Sequence, residues 1–233
     1  MIVLLRTRMG IIRTMKAVVK LVCFGLILAA VAWAESAVGQ ELIKIRIARL
    51  AFPSMSAMML DVVKERGIDK RHGFDLETVS QSAVPVFYAS IANGDADLIA
   101  GGPHVFQKMM LEGVHIAIIG TWAPLKVLSV ITADPTIKSL ADLKGKSLAA
   151  AMGSSEYQVT SIYGRKLGLT FGADVTVVTA APPLAMAQLE AQRVAAAMLW
   201  EPTTTLALRR NPSFHVIMSG DAAWKAVSYT HLT

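Results

Sequence analysis

The chain is poor in the residue types on which most enzyme chemistry depends. It has one cysteine in 233 residues, Cys23, placed in an apolar stretch near the N-terminus. Beyond that stretch there is no thiol, which excludes a disulfide framework, a cysteine nucleophile and a thiolate metal site. The five histidines, at 72, 104, 115, 215 and 231, include no i, i+4 pair and no H-E-x-x-H, so no metal site is expected. There is no G-x-S-x-G elbow and no G-x-x-x-x-G-K-[ST] loop. No cofactor is expected. The apolar run that starts at Leu21 falls well short of the ~20 residues a membrane-spanning helix needs.

What is present begins with a leader. Residues 1–34 carry Arg6, Arg8, Arg13, Lys16 and Lys20 and no acidic residue. The apolar run Leu21–Val31 follows, and Ala32-Trp33-Ala34 closes it. A basic start, a short apolar core and a small-x-small end make a secretory signal peptide. An uncleaved anchor is the alternative, and Met15-Lys16 is a second candidate start. Cys23 is preceded by Leu21 and Val22 rather than small residues, which argues against a lipid anchor. Five of the 23 basic residues lie in the leader, so 18 remain against 17 acidic ones. The net charge of +6 therefore belongs mostly to the leader, and no basic patch is left to argue for nucleic acid.

From Ile43 onward, short apolar runs alternate with helical segments. Ile43–Ala48 alternates with period two and predicts a strand. Ser54 is a suitable cap for a helix over Met55–Arg66, with Gly67 ending it. Strands are expected at Phe74–Val79, Asp97–Ala100 and His115–Gly120, with helices from Pro85 to Ala92 and from His104 to Leu111. The same alternation restarts after residue 135. Leu140–Gly145 predicts a short helix and turn, Ser147–Ala151 a strand, and Ser154–Leu167 a helix capped by Ser154. Val175–Thr179 and Val194–Leu199 are strands on either side of a helix opened by Pro182-Pro183. Val127–Thr132, extended and β-branched, suits a strand crossing between two halves. The Met58-Met59 and Met109-Met110 pairs are expected to pack. This order predicts an α/β fold of two lobes, each a mostly parallel sheet flanked by helices. The expected boundaries are a signal peptide over 1–34, a first lobe over 43–128, a second over 129–220 and a tail over 221–233. A groove between such lobes, walled by strand ends and helix starts, is the default ligand site.

Three stretches carry a resemblance: Ala89-Ser90-Ile91-Ala92-Asn93-Gly94-Asp95-Ala96-Asp97 with Gly101-Gly102-Pro103 behind it, Ser139-Leu140-Ala141-Asp142-Leu143-Lys144-Gly145-Lys146-Ser147-Leu148-Ala149, and Gln188 through Pro202 ending in Trp200-Glu201-Pro202. In this order they resemble the periplasmic solute-binding proteins of ABC importers for nitrate, sulfonate, taurine and thiamine precursors, over about residues 43–210. The resemblance implies a two-lobed type 2 periplasmic-binding-protein fold. Gln192 and Ala195 stand where members usually have Gly and Asp, which bears on the turn before a strand and not on the groove. Relatives also run further and return to the first lobe. The ending Val227-Ser228-Tyr229-Thr230-His231-Leu232-Thr233 resembles a translated sequencing adapter, so the chain is read as C-terminally truncated, with a native short C-terminus as the alternative.

Candidate ligand contacts follow from strand ends and helix starts. Phe52 would pack on the ligand, and Ser54 with the first N–H groups of its helix would meet a polar or anionic group. A core Phe52 and a purely capping Ser54 remain open. Ser82 is either a cleft hydroxyl or an ordinary cap. Gly102 and Pro103 let a ligand approach the backbone, while the neighbouring His104 is read as a helix-start residue. Thr121 and Trp122 would form a wall, or Trp122 a core residue. Gly153, Ser154 and Ser155 would present N–H groups to a carboxylate, sulfonate or nitrate, with Tyr157 as an aromatic contact. Glu156 would oppose such an anion if it points inward. Trp200 and Glu201 end the last clear strand, where Glu201 either orients the ligand or stabilises a helix beginning at Pro202.

The expected function is that of an exported, monomeric periplasmic protein that delivers a small organic solute to an ABC permease. Sulfonate, nitrate, taurine, pyrimidine or aromatic-acid types fit, and no catalysis or nucleic-acid binding is expected. The absence of an arginine clearly placed in the cleft favours an aromatic or weakly charged solute. The alternatives are the ligand-sensing domain of a receptor and a precursor-processing enzyme on the same fold.

Overall fold

The computed structural model describes residues 41–121 and 127–228. The expected signal peptide, Trp122 and residues 229–233 lie outside the described residues. Two sheets organise the chain. In the first, β1 (Ile43–Leu50) is central, between β2 (Phe74–Gln81) and β3 (Leu98–Ile99). All pairings are parallel, with Ile43 opposite Phe74, Leu50 opposite Gln81 and Ile47 opposite Leu98. Right-handed crossovers between parallel strands need helices. These are α1 (Met55–Glu65), the single turn α2 (Ile68–Arg71) and α3 (Val84–Ala92), with α4 (Pro103–Leu111) after β3.

The helix starts follow the sequence closely. Ser54 Oγ accepts the Ala57 N–H at 3.2 Å, which satisfies one of the unpaired donors of the first turn. Pro85 and Pro103 sit in the first turns of α3 and α4, where their missing N–H groups cost nothing. The α1 face is another matter. Met55, Met58, Met59 and Val62 are exposed, so the Met58-Met59 pair does not pack as expected. Met109 does, buried on α4. Beneath α1 an apolar pocket of about 240 Å³ lies against Ile47, Ala48 and Phe87.

His115–Gly120 was expected as a strand and is irregular. Its alternation suits a strand, but a strand also needs a partner edge for its backbone groups. It pairs with no described strand. Val114 and Ile116 lean on the core while Ile118 and Ile119 face outward.

The second sheet has the order β6–β5–β7–β4–β8: β4 (Leu128–Thr132), β5 (Ser147–Ala150), β6 (Thr176–Thr179), β7 (Ala196–Trp200) and β8 (His215–Ser219). β5 runs parallel to β6 and β7, while β4 runs antiparallel to both β7 and β8. The crossing strand predicted at Val127–Thr132 is thus β4, embedded in this sheet. Its helices are α5 (Ser155–Lys166), α6 (Pro182–Glu190), α7 (Thr203–Arg210) and α8 (Gly220–Ser228). α7 is the helix offered after Pro202 as one reading of Glu201, while β8 and α8 were not read from the sequence. Residues 221–228, read there as tail, are helical.

The second sheet is buried on both faces, and its residues alternate between two cores. Leu148, Ala150, Val130 and Met198 face one cluster, while Ala149, Ile131, Ala197 and Leu199 face the other. The first of these clusters continues into Ala48, Leu50, Phe87 and Phe106 of the other half, so the two halves share apolar contact. The Ser139-Leu140-Ala141-Asp142 motif forms a capping box: Asp142 Oδ2 accepts the Ser139 N–H at 2.8 Å and the Lys138 N–H at 2.9 Å. Gln192 closes the turn after α6 at φ 55°. That is the left-handed region a glycine fits, the residue whose absence the sequence reading had noted there.

No described helix is long and apolar enough to cross a membrane.

Candidate ligand-binding cleft

The two halves meet at a cleft of about 430 Å³, within the range of small-molecule sites. Its walls are the strand tails and helix starts of both sheets. From the first half come Leu50, Ser54, Tyr88 and the Gly101–His104 turn; from the second, Ser154, Ser155, Glu156, Trp200 and Glu201; α8 adds Asp221 and Trp224.

Tyr88 holds the halves together at this point. Its ring is buried in α3, edge-on to Phe87 at 5.2 Å and to Phe106 at 5.9 Å. Its hydroxyl lies 3.1 Å from Ser155 Oγ and accepts the Gly102 N–H at 3.3 Å. Burial raises the Tyr88 pKa, against the opposing hydrogen bond to Ser155, so the hydroxyl stays protonated. Two glycines make room for this contact. A Cβ on Gly101 would stand 2.7 Å from the Tyr88 hydroxyl, and one on Gly102 would stand 2.1 Å from Ser155 Oγ. Both are shorter than any tolerated contact.

The start of α5 forms the opposite wall. Ser154 caps it, its Oγ accepting the Tyr157 N–H at 3.0 Å. Desolvation pushes the Glu156 carboxyl above the usual carboxylate value, partly offset by hydrogen bonding within its own helix turn. His104, beside it, is shifted down by desolvation and held back by a backbone hydrogen bond at Ser155. Trp200 is 8% exposed, borders the cleft, and its Nε1 has no hydrogen-bond partner. A buried unpaired N–H costs about 1–3 kcal/mol, and this one is enclosed by protein rather than open to the cleft. The Phe52 ring backs the indole at 5.8 Å. Glu201 Oε2 accepts the Thr205 N–H at 3.2 Å and so caps α7. No group of three or more His, Cys, Asp or Glu among the described residues is placed to hold a metal ion.

The model of the family described as NMT1/THI5 like matches residues 53–220, well over half of the chain. The chain belongs to the NMT1/THI5-like family. Among solved structures, this NMT1/THI5-like chain is similar to the periplasmic aliphatic sulphonate binding protein SsuA of Escherichia coli: 26% identity, TM-score 0.60, over 76% of this chain and 57% of that one. It is similar also to the alkanesulfonate-binding protein SsuA of Xanthomonas axonopodis pv. citri bound to MOPS: 26% identity, TM-score 0.62, over 78% and 62%. A curated relative from Brucella abortus (strain 2308), whose name calls it a binding protein and gives no ligand, is 24% identical over 141 residues. That match takes in 60% of this chain and 43% of the relative, so the chain spans less than half the length of the curated relative. The neighbours share the two-lobed type 2 periplasmic-binding-protein fold.

Of the residues picked from the sequence, Ser54, Gly102, Pro103, Thr121, Ser154, Ser155, Trp200 and Glu201 line the cleft of this NMT1/THI5-like protein. Four do not. Phe52 sits behind Trp200. Ser82 is exposed on the turn after β2, and Ala83, not Ser82, holds the N-cap of α3. Gly153 supplies the left-handed turn, φ 85°, that brings the chain to Ser154. Tyr157 packs at 6.0 Å on Phe171, because one helical step past Glu156 turns its side chain inward. Trp122 lies outside the described residues. The sequence reading passed over Tyr88, which reads as one more apolar position in Val84–Ala92, and Asp221 and Trp224, which it had assigned to a tail. It had named Glu156 only as an obstacle.

Proposed function

We propose that this chain captures a small organic solute in the cleft and delivers it to an ABC permease in the inner membrane. It acts from the periplasm and catalyses nothing. The observation that carries the reading is a ligand-sized cleft between two sheet-based halves, joined beside it by the Tyr88–Ser155 hydrogen bond. Membership of the NMT1/THI5-like family and likeness to sulfonate-binding components of importers support it.

The mechanism follows from the seam. The halves share apolar contact and the hydrogen bond at Ser155, and a solute in the cleft beside them favours whichever separation it contacts best. A ligand that contacts Ser54 and Tyr88 on one side and Trp200 on the other gains most when the halves close on it. Closure then presents one surface to the permease.

The test is a titration of the full chain with sulfonates, nitrate and pyrimidines, followed by calorimetry and by tryptophan fluorescence. Saturable one-to-one binding with a fluorescence change is expected, because Trp200 and Trp224 border the cleft. Neither heat nor a fluorescence change with any solute would sink the reading.

A further inference from the structure

Methionine is unevenly placed among the described residues. Met109, Met186, Met198 and Met218 are buried, as befits a flexible apolar side chain that fills gaps in a core. Met55, Met58 and Met59 are not: they are 42%, 48% and 46% exposed. All three belong to α1, in which only Ala57 is buried. With Val62 they follow the spacing i, i+3, i+4, i+7, so one face of the helix turns three thioethers to solvent.

Their position gives that exposure a consequence. Met55 lines the cleft beside Leu50 and Ser54. Met59 lines the apolar pocket beneath α1. Met110 and Met152 are exposed as well, but neither lines the cleft or that pocket.

An accessible thioether is open to peroxides. Its sulfur attacks one oxygen of hydrogen peroxide, and an S–O bond forms as the O–O bond breaks. Sulfur is oxidised by two electrons and the peroxide is reduced. The proton on the transferred oxygen passes to the hydroxide that leaves, so the by-product is water. The sulfoxide is polar and chiral, and methionine sulfoxide reductases return it to the thioether.

We propose that the methionine face of α1 is a modification site for peroxides, and that conversion of Met55 to its sulfoxide lowers the affinity of the cleft for its solute. The second half rests on the solute-capture reading. A solute packed against the Met55 side chain gains by removing apolar surface from water. The sulfoxide replaces that surface with a strong acceptor that holds water, so the same contact becomes a desolvation cost.

The test treats the full chain with dilute hydrogen peroxide, checks its fold by far-UV circular dichroism and follows each methionine by mass spectrometry of its peptides. Met55, Met58 and Met59 are expected to oxidise about tenfold or more faster than Met186, Met198 and Met218, which react only when the structure opens around them. Equal rates in the two sets overturn the modification site. Treated and untreated protein are then titrated by calorimetry with the sulfonates, nitrate and pyrimidines. A solute that binds the untreated protein is expected to bind the oxidised protein about threefold or more weakly. In Met55→Leu, peroxide is expected to leave the affinity of that variant where it was. In the double variant Met58→Leu with Met59→Leu, peroxide is expected still to lower it. Unchanged affinity after oxidation of Met55, or an undiminished loss in Met55→Leu, overturns the control of binding and leaves solute capture standing. Failure of every solute to bind the untreated protein overturns solute capture and the control of binding together, while the map of oxidised residues still decides the modification site.

Discussion

The Tyr88 hydroxyl stands 3.1 Å from Ser155 Oγ, joining a helix of the first sheet to the first turn of a helix on the second. This pair is separated by 67 positions in the chain, and it fixes how closely the two halves approach beside the cleft.

Removing it should loosen that approach without unfolding either half. Tyr88→Phe leaves the ring packing on Phe87 and Phe106 intact and leaves a buried Ser155 hydroxyl and the Gly102 N–H without their partner. The expected cost is about 1–2 kcal/mol, read as a lowered midpoint in urea unfolding with an unchanged slope. Ser155→Ala in the same background should add little, since the partners have already been separated.

Gly102 packs closely against Ser155 of the other half. An alanine there would place its methyl 2.1 Å from Ser155 Oγ and 2.3 Å from Ser155 Cβ. Gly102→Ala should push the halves apart, seen as a larger radius of gyration in small-angle scattering and weaker solute binding. Adding Ser155→Gly removes both clashing atoms and should restore the compact form. A compact Gly102→Ala single variant would show that the contact yields more easily than the distances imply.

Gln192 carries backbone strain that glycine would not. A non-glycine residue in the left-handed region costs roughly 1–2 kcal/mol, and glycine gives back part of that through its greater unfolded freedom. Gln192→Gly is therefore expected to stabilise the fold by about 0.5–1 kcal/mol, a rise in Tm of about 1–4 °C. The residue is exposed, so no packing is lost.

Asp69 gives the first half an acid limit. Its carboxylate lies between Lys64 Nζ at 2.9 Å and the N–H groups of Leu76 and Lys70. The Lys64 hydrogen bond, against desolvation and with the backbone donors, holds its pKa down from 3.8 to about 2. A carboxyl that binds its proton less tightly when folded stabilises the fold fully above its unfolded pKa and loses that contribution as the pH falls through the folded one. Stability should therefore decline between about pH 4 and pH 2. Asp69→Asn should be less stable at neutral pH and show a flatter decline over that window, measured by thermal unfolding across a pH series.

Much of the architecture was legible in the residues themselves. The alternation of Ile43–Ala48, the caps Ser54 and Ser154 and the Pro182-Pro183 start each express a local preference, and local preferences survive folding when the tertiary structure does not oppose them. Several cleft residues were legible for the same reason: strand tails and helix starts lie at a groove by topology, which placed Ser54, Gly102, Ser154 and Trp200 there. His115–Gly120 shows the limit. Its pattern is that of a strand, yet the pairing edge that makes a strand is supplied from elsewhere in the chain, and no described strand supplies it.

The sequence by itself determined the class of fold, the order of most of its elements and the general location of a cleft, since these depend on periodicity and on which residues can start or stop an element. Only the tertiary structure decided what the cleft is made of. Tyr88 and Ser155 meet, and Trp200 is buried with an unpaired donor, because elements distant in the chain are packed together. Such distances depend on how whole sheets pack, and no stretch of sequence encodes them alone.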